Sequence, residues 1–178
     1  MNLEPIRRVL DALGVRYALI GAHAMAARGY PRFTVDVDLL TADARVLDAD
    51  TWIDLAGNGA EVETRRGDPD DPLGGVAHLL LADGTDVDII VGKWTWEADV
   101  IERADEMMIA GGLVRVPRIS DLVLLKLAAG GTLDLRDAVA LLHVANRDQI
   151  AREVEVHIND ARPDVRGVWR DLLASIDR

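Results

Sequence analysis

Residues 34–40 read TVDVDLL, and residues 85–91 read TDVDIIV. Thr34, Val35, Val37, Leu39 and Leu40 are types that favour strands, whereas aspartate is depleted there. In a strand, residues i and i+2 point to the same face. Asp36 and Asp38 are therefore expected to project together from a strand over 34–40, and Asp86 and Asp88 from a strand over 85–91. Neighbouring carboxylates repel and raise each other's pKa, and a cation relieves the repulsion. Magnesium suits such a pair, being hard, oxygen-preferring and commonly held by one or two carboxylates plus phosphate oxygens. A third carboxylate from a neighbouring strand completes a site for two metals, able to stabilise the attacking and leaving oxygens of a phosphoryl or nucleotidyl transfer. The competing reading is that each strand simply has one wet face.

Around these two stretches the pattern alternates between helix and strand. Leu3, Ile6, Leu10 and Leu13 recur at helical spacing, with Gly14 as a stop. A short buried strand is expected over 15–20, broken by Gly21. An alanine-rich helix follows and ends at Gly29. Residues 43–56 are expected to be helical, with strands over 60–66, 76–82 and 85–91. The loop over 67–75, GDPDDPLGG, reads as a mobile, solvated hairpin loop. A helix near 95–104, a strand near 112–116 and a helix capped by Ser120 come next, and then three further helical faces. The expected class is α/β (α+β): a core over 1–118 and a C-terminal helical region over 119–178 packed on it.

Composition narrows the functional classes. Of the 178 residues 49% are hydrophobic, which makes a globular chain, and there is no cysteine, which removes disulfides and thiolate metal sites. The formal net charge of −11 speaks against broad nucleic-acid binding by counterion release. No apolar run approaches the roughly 18–20 residues that span a bilayer, and the N-terminus resembles neither a signal peptide nor a lipidation motif. A cytoplasmic location without membrane contact is the expectation. Lys93 and Lys126 are the only lysines.

The order strand, Gly21-Ala22, short helix, then Asp36-Val37-Asp38 on the next strand is more specific than any of its parts. A glycine at a strand-to-helix turn offers backbone N–H groups to a phosphate. The order resembles the nucleotidyltransferase superfamily of DNA polymerase β type. Ile20-Gly21-Ala22 is followed by 13 residues and then the Asp-Val-Asp-Leu run, and DVDII stands where that superfamily carries its third acid. The fuller string YALIGAHAMAARGYPRFTVDVDLL is similar to small bacterial proteins related to the AbiEii abortive-infection toxins, with Gly29, Arg32, Thr34, Asp36 and Asp38 matching. Residues 114–142 resemble that group's second block through Lys126, Asp134 and Asp137. Ala22 stands where the superfamily usually has Gly or Ser, and Gly131 where relatives often carry an arginine.

The resemblance implies a mixed sheet flanked by helices and a magnesium-dependent nucleotidyl transfer, with two Mg²⁺ ions, or Mn²⁺. Asp36, Asp38 and a third acid would be the catalytic and metal-binding residues. Residue order favours Asp88 over Asp86 as that acid, although strand parity does not separate them. Gly21, Ala22, His23, Arg32, Thr34, Lys126 and Asp134 are the implied nucleotide-binding residues. Each also has a plain reading: His23 as local packing, Arg32 as an ion-pair partner, Lys126 snorkelling, Asp134 as a helix cap. The implied partners are a nucleoside triphosphate and a hydroxyl acceptor: RNA such as tRNA, a protein or a small molecule. A toxin-like member would also have an antitoxin protein. The alternative from another class is a catalytically silent binding or regulatory module on the same fold.

Overall fold

The computed structural model describes residues 2–176. Helix α1 (Glu4–Leu13) buries Ile6 and Leu10, and Gly14 ends it in the left-handed conformation that its missing side chain permits. Strand β1 (Tyr17–Leu19) leads into the seven-residue α2 (Gly21–Ala27), and then β2 (Val37–Thr41) enters the sheet. Strands β3 (Glu61–Arg66), β4 (Gly75–Leu80) and β5 (Asp86–Val91) complete it. The order across the sheet is β1-β2-β5-β4-β3. Only β2 and β5 run parallel; the other neighbours are antiparallel.

Helix α4 (Thr95–Arg103) follows, then a separate hairpin of β6 (Asp105–Ile109) and β7 (Gly112–Val116). Four helices finish the chain: α5 (Ile119–Ala129), α6 (Thr132–Leu142), α7 (Arg147–His157) and α8 (Pro163–Ile176). The mixed α/β class expected from the pattern is what the chain adopts. One cluster of buried side chains runs from Leu3 through Leu39, Ile89 and Leu124 to Leu172, so sheet and C-terminal helices share a core.

Several elements depart from the pattern, each for a local reason. The strand expected over 34–40 begins only at Val37, so Thr34, Val35 and Asp36 lie in the approach to it. The helix expected over 43–56 is instead two 3₁₀ turns, Ala44–Leu47 and Ala49–Trp52, with a single α-turn, α3 (Ile53–Gly57). There the Asp43 side chain accepts from the Arg45 N–H, the local bonding by which aspartate competes with helix. Ser120 lies inside α5 and not at its cap; its hydroxyl donates to Glu153 at 3.0 Å and ties α5 to α7. Strand β6 was not expected. The loop over 67–75 is not merely solvated: Lys93 Nζ donates to the carbonyls of Asp68, Pro69 and Asp71, at 3.1, 2.5 and 2.8 Å.

Trp52 holds the irregular 44–57 segment to the sheet. It is fully buried, and its indole N–H donates to the Val46 carbonyl at 2.8 Å. Trp52→Ala is expected to cost about 3–5 kcal/mol in urea unfolding, with the midpoint falling and the slope unchanged.

Candidate functional site

Strand pairing assembles the acids. In the parallel β2–β5 pair, Asp38 stands directly opposite Asp88, Leu39 opposite Ile89 and Leu40 opposite Ile90. Asp88 in turn faces His78 across β4, and His78 faces Glu63 across β3. Directly paired residues share a face, so one row reads Asp38, Asp88, His78, Glu63. The backbone N–H of Ile20 donates to the Asp38 carbonyl at 2.8 Å, which brings the β1–α2 turn against this row.

At that turn Gly21 has φ +63°, and a Cβ there would sit 1.8 Å from Asp38 Oδ2. Both facts demand glycine: a side chain would strain the backbone and collide with the carboxylate. Ala22 is buried. The amides of the first turn have no partner within the helix. Among the implied phosphate ligands, this turn is thus defined by its contact with the central acid.

Asp38 is the perturbed member. Burial pushes its carboxyl up to about 6, helped by repulsion from Asp36 and Asp88 and opposed by Lys126 and Arg32. Asp36 behaves oppositely. Its carboxylate accepts from the Thr34 hydroxyl and is held below the usual range mainly by that bond, with Arg32 and His23 contributing. Asp88 Oδ1 accepts from His78 Nδ1 at 2.8 Å, and this contact raises the imidazole's pKa against the opposing effect of burial. Asp86 lies two residues back on the same face, with Oδ1 3.5 Å from the same nitrogen. Register therefore puts Asp88, not Asp86, beside Asp38. Among the described residues no three His, Asp or Glu side chains converge as they would around a metal ion. The donor set still fits a hard divalent cation: oxygen ligands only, neighbouring negative charges, and a partly buried carboxyl whose pKa is raised by burial and by the acids beside it.

The basic residues approach from the helices. Lys126 Nζ contacts Asp134 at 2.8 Å and Asp137 at 3.0 Å. Burial pulls its pKa down, but the two carboxylates outweigh this and raise it, so the ammonium stays charged. Arg32 Nη1 donates to Asp137 at 2.6 Å. Asp137 thus joins the loop before β2 to α5 and α6. Asp134 Oδ2 also lies 2.8 Å from where a Cβ on Gly131 would be, so the glycine leaves this carboxylate room.

Beside Asp38 and Gly21 opens a cleft of about 460 Å³, within the range of small-ligand sites. Leu40 and Ile90 give its floor, and α5 contributes Leu122, Leu125 and Lys126. Its far end holds Pro72, Leu73, Trp94, Trp96, Glu97 and Arg162. The two tryptophans differ in exposure: Trp94 is half-exposed and Trp96 buried, because α4 starts between them. His78, Glu97 and Arg162 had drawn no role from the sequence. His78 opposes Asp88 because a three-residue loop, 82–84, closes the β4–β5 hairpin; the Asp83-Gly84 pair is a hairpin signal, but read as a two-residue turn it sets 78 opposite 89. Glu97 and Arg162 carried no such signal.

The raised Asp38 pKa has two measurable results. The Asp38 ¹³Cγ resonance is expected to titrate near pH 6, and to move to lower pH when Mg²⁺ is added or in Asp88→Asn. Because the folded pKa lies above the unfolded one, Asp38 favours folding below about pH 4, and that stability is lost as pH rises through 6. Asp38→Asn, which mimics the protonated acid, should therefore raise Tm more at pH 8 than at pH 5.

No protein-family model matches the chain, and no curated protein matches it. Solved structures do. The antibiotic-resistance factor ANT(2'')-Ia, in solution, aligns with a TM-score of 0.57 at 19% identity, over 98% of this chain and 92% of its own. The same protein crystallised with adenylyl-2''-tobramycin gives 0.53 at 19%, over 93% of each chain. A putative nucleotidyltransferase from Thermotoga maritima gives 0.53 at 15% identity, covering 80% of this chain and 93% of that one. The chain thus has the fold of these nucleotidyltransferases.

Proposed function

We propose that the chain is a nucleotidyltransferase that moves a nucleoside monophosphate from a nucleoside triphosphate to a hydroxyl acceptor. The observation that carries this reading is the pairing of Asp38 with Asp88, against the Gly21 turn and within the field of Lys126 and Arg32. Asp36, Asp38 and Asp88 would hold Mg²⁺ or Mn²⁺. When bound, the metal supplies charge neutralisation of the triphosphate and of the leaving pyrophosphate.

The side chains then divide the work. Helix α2 has only seven residues, so phosphate attraction rests on the Lys126 ammonium and Arg32 guanidinium more than on its dipole. Both cations are held by carboxylates, Lys126 by Asp134 and Asp137 and Arg32 by Asp137, so each is placed before the ligand arrives. Asp88 accepts the proton of the acceptor hydroxyl. The oxygen attacks the α-phosphorus, the bond from that phosphorus to the bridging oxygen breaks, and pyrophosphate leaves. His78, bonded to Asp88, fixes the orientation of the carboxylate.

The acceptor is an RNA such as tRNA, a protein or a small hydroxyl compound, and a toxin role would bring an antitoxin partner. A second reading, a silent nucleotide-binding module, is favoured by two observations: Asp36 is engaged by Thr34, and among the described residues no three acids converge. Label from α-³²P nucleoside triphosphates, offered with total RNA, a protein lysate and an aminoglycoside, separates the two. Transfer is expected into one acceptor class, and none with Asp36→Ala/Asp38→Ala. Binding of Mg²⁺-nucleotide without transfer to any acceptor would establish the silent module. Asp88→Asn is expected to lower kcat by about 10²–10⁴ while nucleotide affinity holds, as for loss of a general base.

A further inference from the structure

The loop over 67–75 lines the cleft through Pro72 and Leu73, yet the hydrophobic core does not place it. Among the described residues, Leu73 belongs neither to the buried cluster nor to the half-buried side chains packed on that cluster. Residues 68–70 and Pro72 are exposed. Polar ties set the loop's position instead. Its ends are pinned where the Gly67 N–H donates to the Gly74 carbonyl at 2.9 Å and the Gly74 N–H to that of Val91 at 2.8 Å. Between these ends, the carbonyls of Asp68, Pro69 and Asp71 converge on one point, Lys93 Nζ. An ammonium has three donors and no acceptor, so three carbonyls satisfy it in full.

Asp71 is the junction between this lysine and the cleft. Its carbonyl accepts from Lys93 at 2.8 Å, its Oδ2 from Arg65 Nη1 at 2.6 Å, and its Oδ1 from the Leu73 N–H at 3.1 Å. The ammonium therefore reaches the apolar wall through a single residue. The main chain of Lys93 is fixed as well. Its N–H and that of Trp94 donate to Glu97 Oε2 at 2.7 and 2.8 Å. Trp94, Trp96 and Glu97 line the same cleft. One lysine thus ties two contributors to the lining, the 67–75 loop and the start of α4.

We propose that Lys93 is a positioning residue of the cleft, whose ammonium holds the 67–75 loop against the start of α4 and thereby sets the affinity of the cleft for its ligand. It touches no reacting atom. The inference rests on the nucleotidyltransferase reading for the identity of that ligand, a Mg²⁺-nucleoside triphosphate, since Gly21, Asp38 and Lys126 line the same cleft. Apparent affinity scales with the fraction of molecules in the binding-competent arrangement. A loop that is off the core and loses its clamp lowers that fraction, while the sheet and the acids stay where register puts them.

Amide hydrogen exchange of the full chain, together with calorimetric titration by ATP, GTP, CTP and UTP, each with Mg²⁺, tests the clamp in Lys93→Ala. The amides of 67–75 are expected to exchange faster and those of β2 and β5 as before. Affinity for the tightest of the four triphosphates is expected to fall about tenfold, as for a wall in place about a tenth of the time. Propylammonium, which replaces the deleted part of the side chain, is expected to restore both, and propanol neither. Leu73→Ala removes the wall and leaves the clamp. It is expected to weaken binding with loop exchange unchanged, and Lys93→Ala/Leu73→Ala to bind no more weakly than the weaker single variant. Unchanged loop exchange in Lys93→Ala, or rescue by propanol as good as by propylammonium, overturns the clamp. Faster exchange with unchanged affinity, or losses that multiply in the double variant, overturns its hold on the cleft while the nucleotidyltransferase reading stands. If the unmodified chain binds none of the four triphosphates, that reading falls and the affinity role falls with it.

Discussion

The organisation of the molecule depends on one unfavourable contact, two carboxylates made neighbours by strand register. Asp38 and Asp88 face each other across the parallel β2–β5 pair of the sheet. Burial of Asp38 turns that repulsion into a pKa near 6. The hydrophobic partners on the opposite face, Val37, Leu39, Val87 and Ile89, are essentially inaccessible to solvent. Their burial fixes the register, because a slip of one residue would turn every apolar side chain out. The core therefore holds the acids together against their own repulsion. That is the usual sense in which a site carries strain offset by packing elsewhere.

The surroundings are arranged around this concentration of charge. Gly21 removes the one Cβ that would collide with Asp38. Asp36 is taken up by Thr34, and Asp88 by His78. Lys126 and Arg32 are brought near, yet both are tied to Asp137 and do not directly neutralise Asp38. The result is a site in which Asp36 and Asp38 are pushed in opposite directions, the first held low and the second raised. Such separation of roles among like groups is characteristic of sites that handle protons and charged ligands.

Much of this was legible in the chain, and the rest was hidden for identifiable reasons. Alternation placed Asp86 and Asp88 on one face, and they lie there; it placed Asp36 there with Asp38, but the strand starts one residue after Asp36. Periodicity cannot show where a strand begins. It also could not pair β2 with β5, because parallel partners are joined through a long crossover, here with two other strands inside it. The helix expected over 43–56 failed because the Asp43 side chain bonds locally, while that of Asp48 pairs with Arg66 on β3, neither of which a hydrophobic pattern registers. The unpaired N–H of Trp96 is a purely tertiary fact. No sequence pattern distinguishes an indole with a partner, like that of Trp52, from one without.

Global charge proves a poor guide to the cleft. A net charge of −11 describes the surface as a whole, and screening confines most of that field to within about 10 Å at 0.1 M salt. Inside the cleft both signs meet. Lys126 and Arg162 line it together with Asp38, Glu97 and Asp134, and Arg32 acts on Asp38. Both lysines of an otherwise arginine-rich chain are engaged around it. Lys126 carries charge to the wall near Asp38, and Lys93 gathers three carbonyls of the loop that supplies Pro72 and Leu73 to the lining. Lysine suits the second task because its compact ammonium can satisfy several carbonyls at once, where a planar guanidinium could not converge on them. An acidic exterior is thus compatible with placed cations in the cleft, since the field at a ligand is set by the few groups that water does not screen.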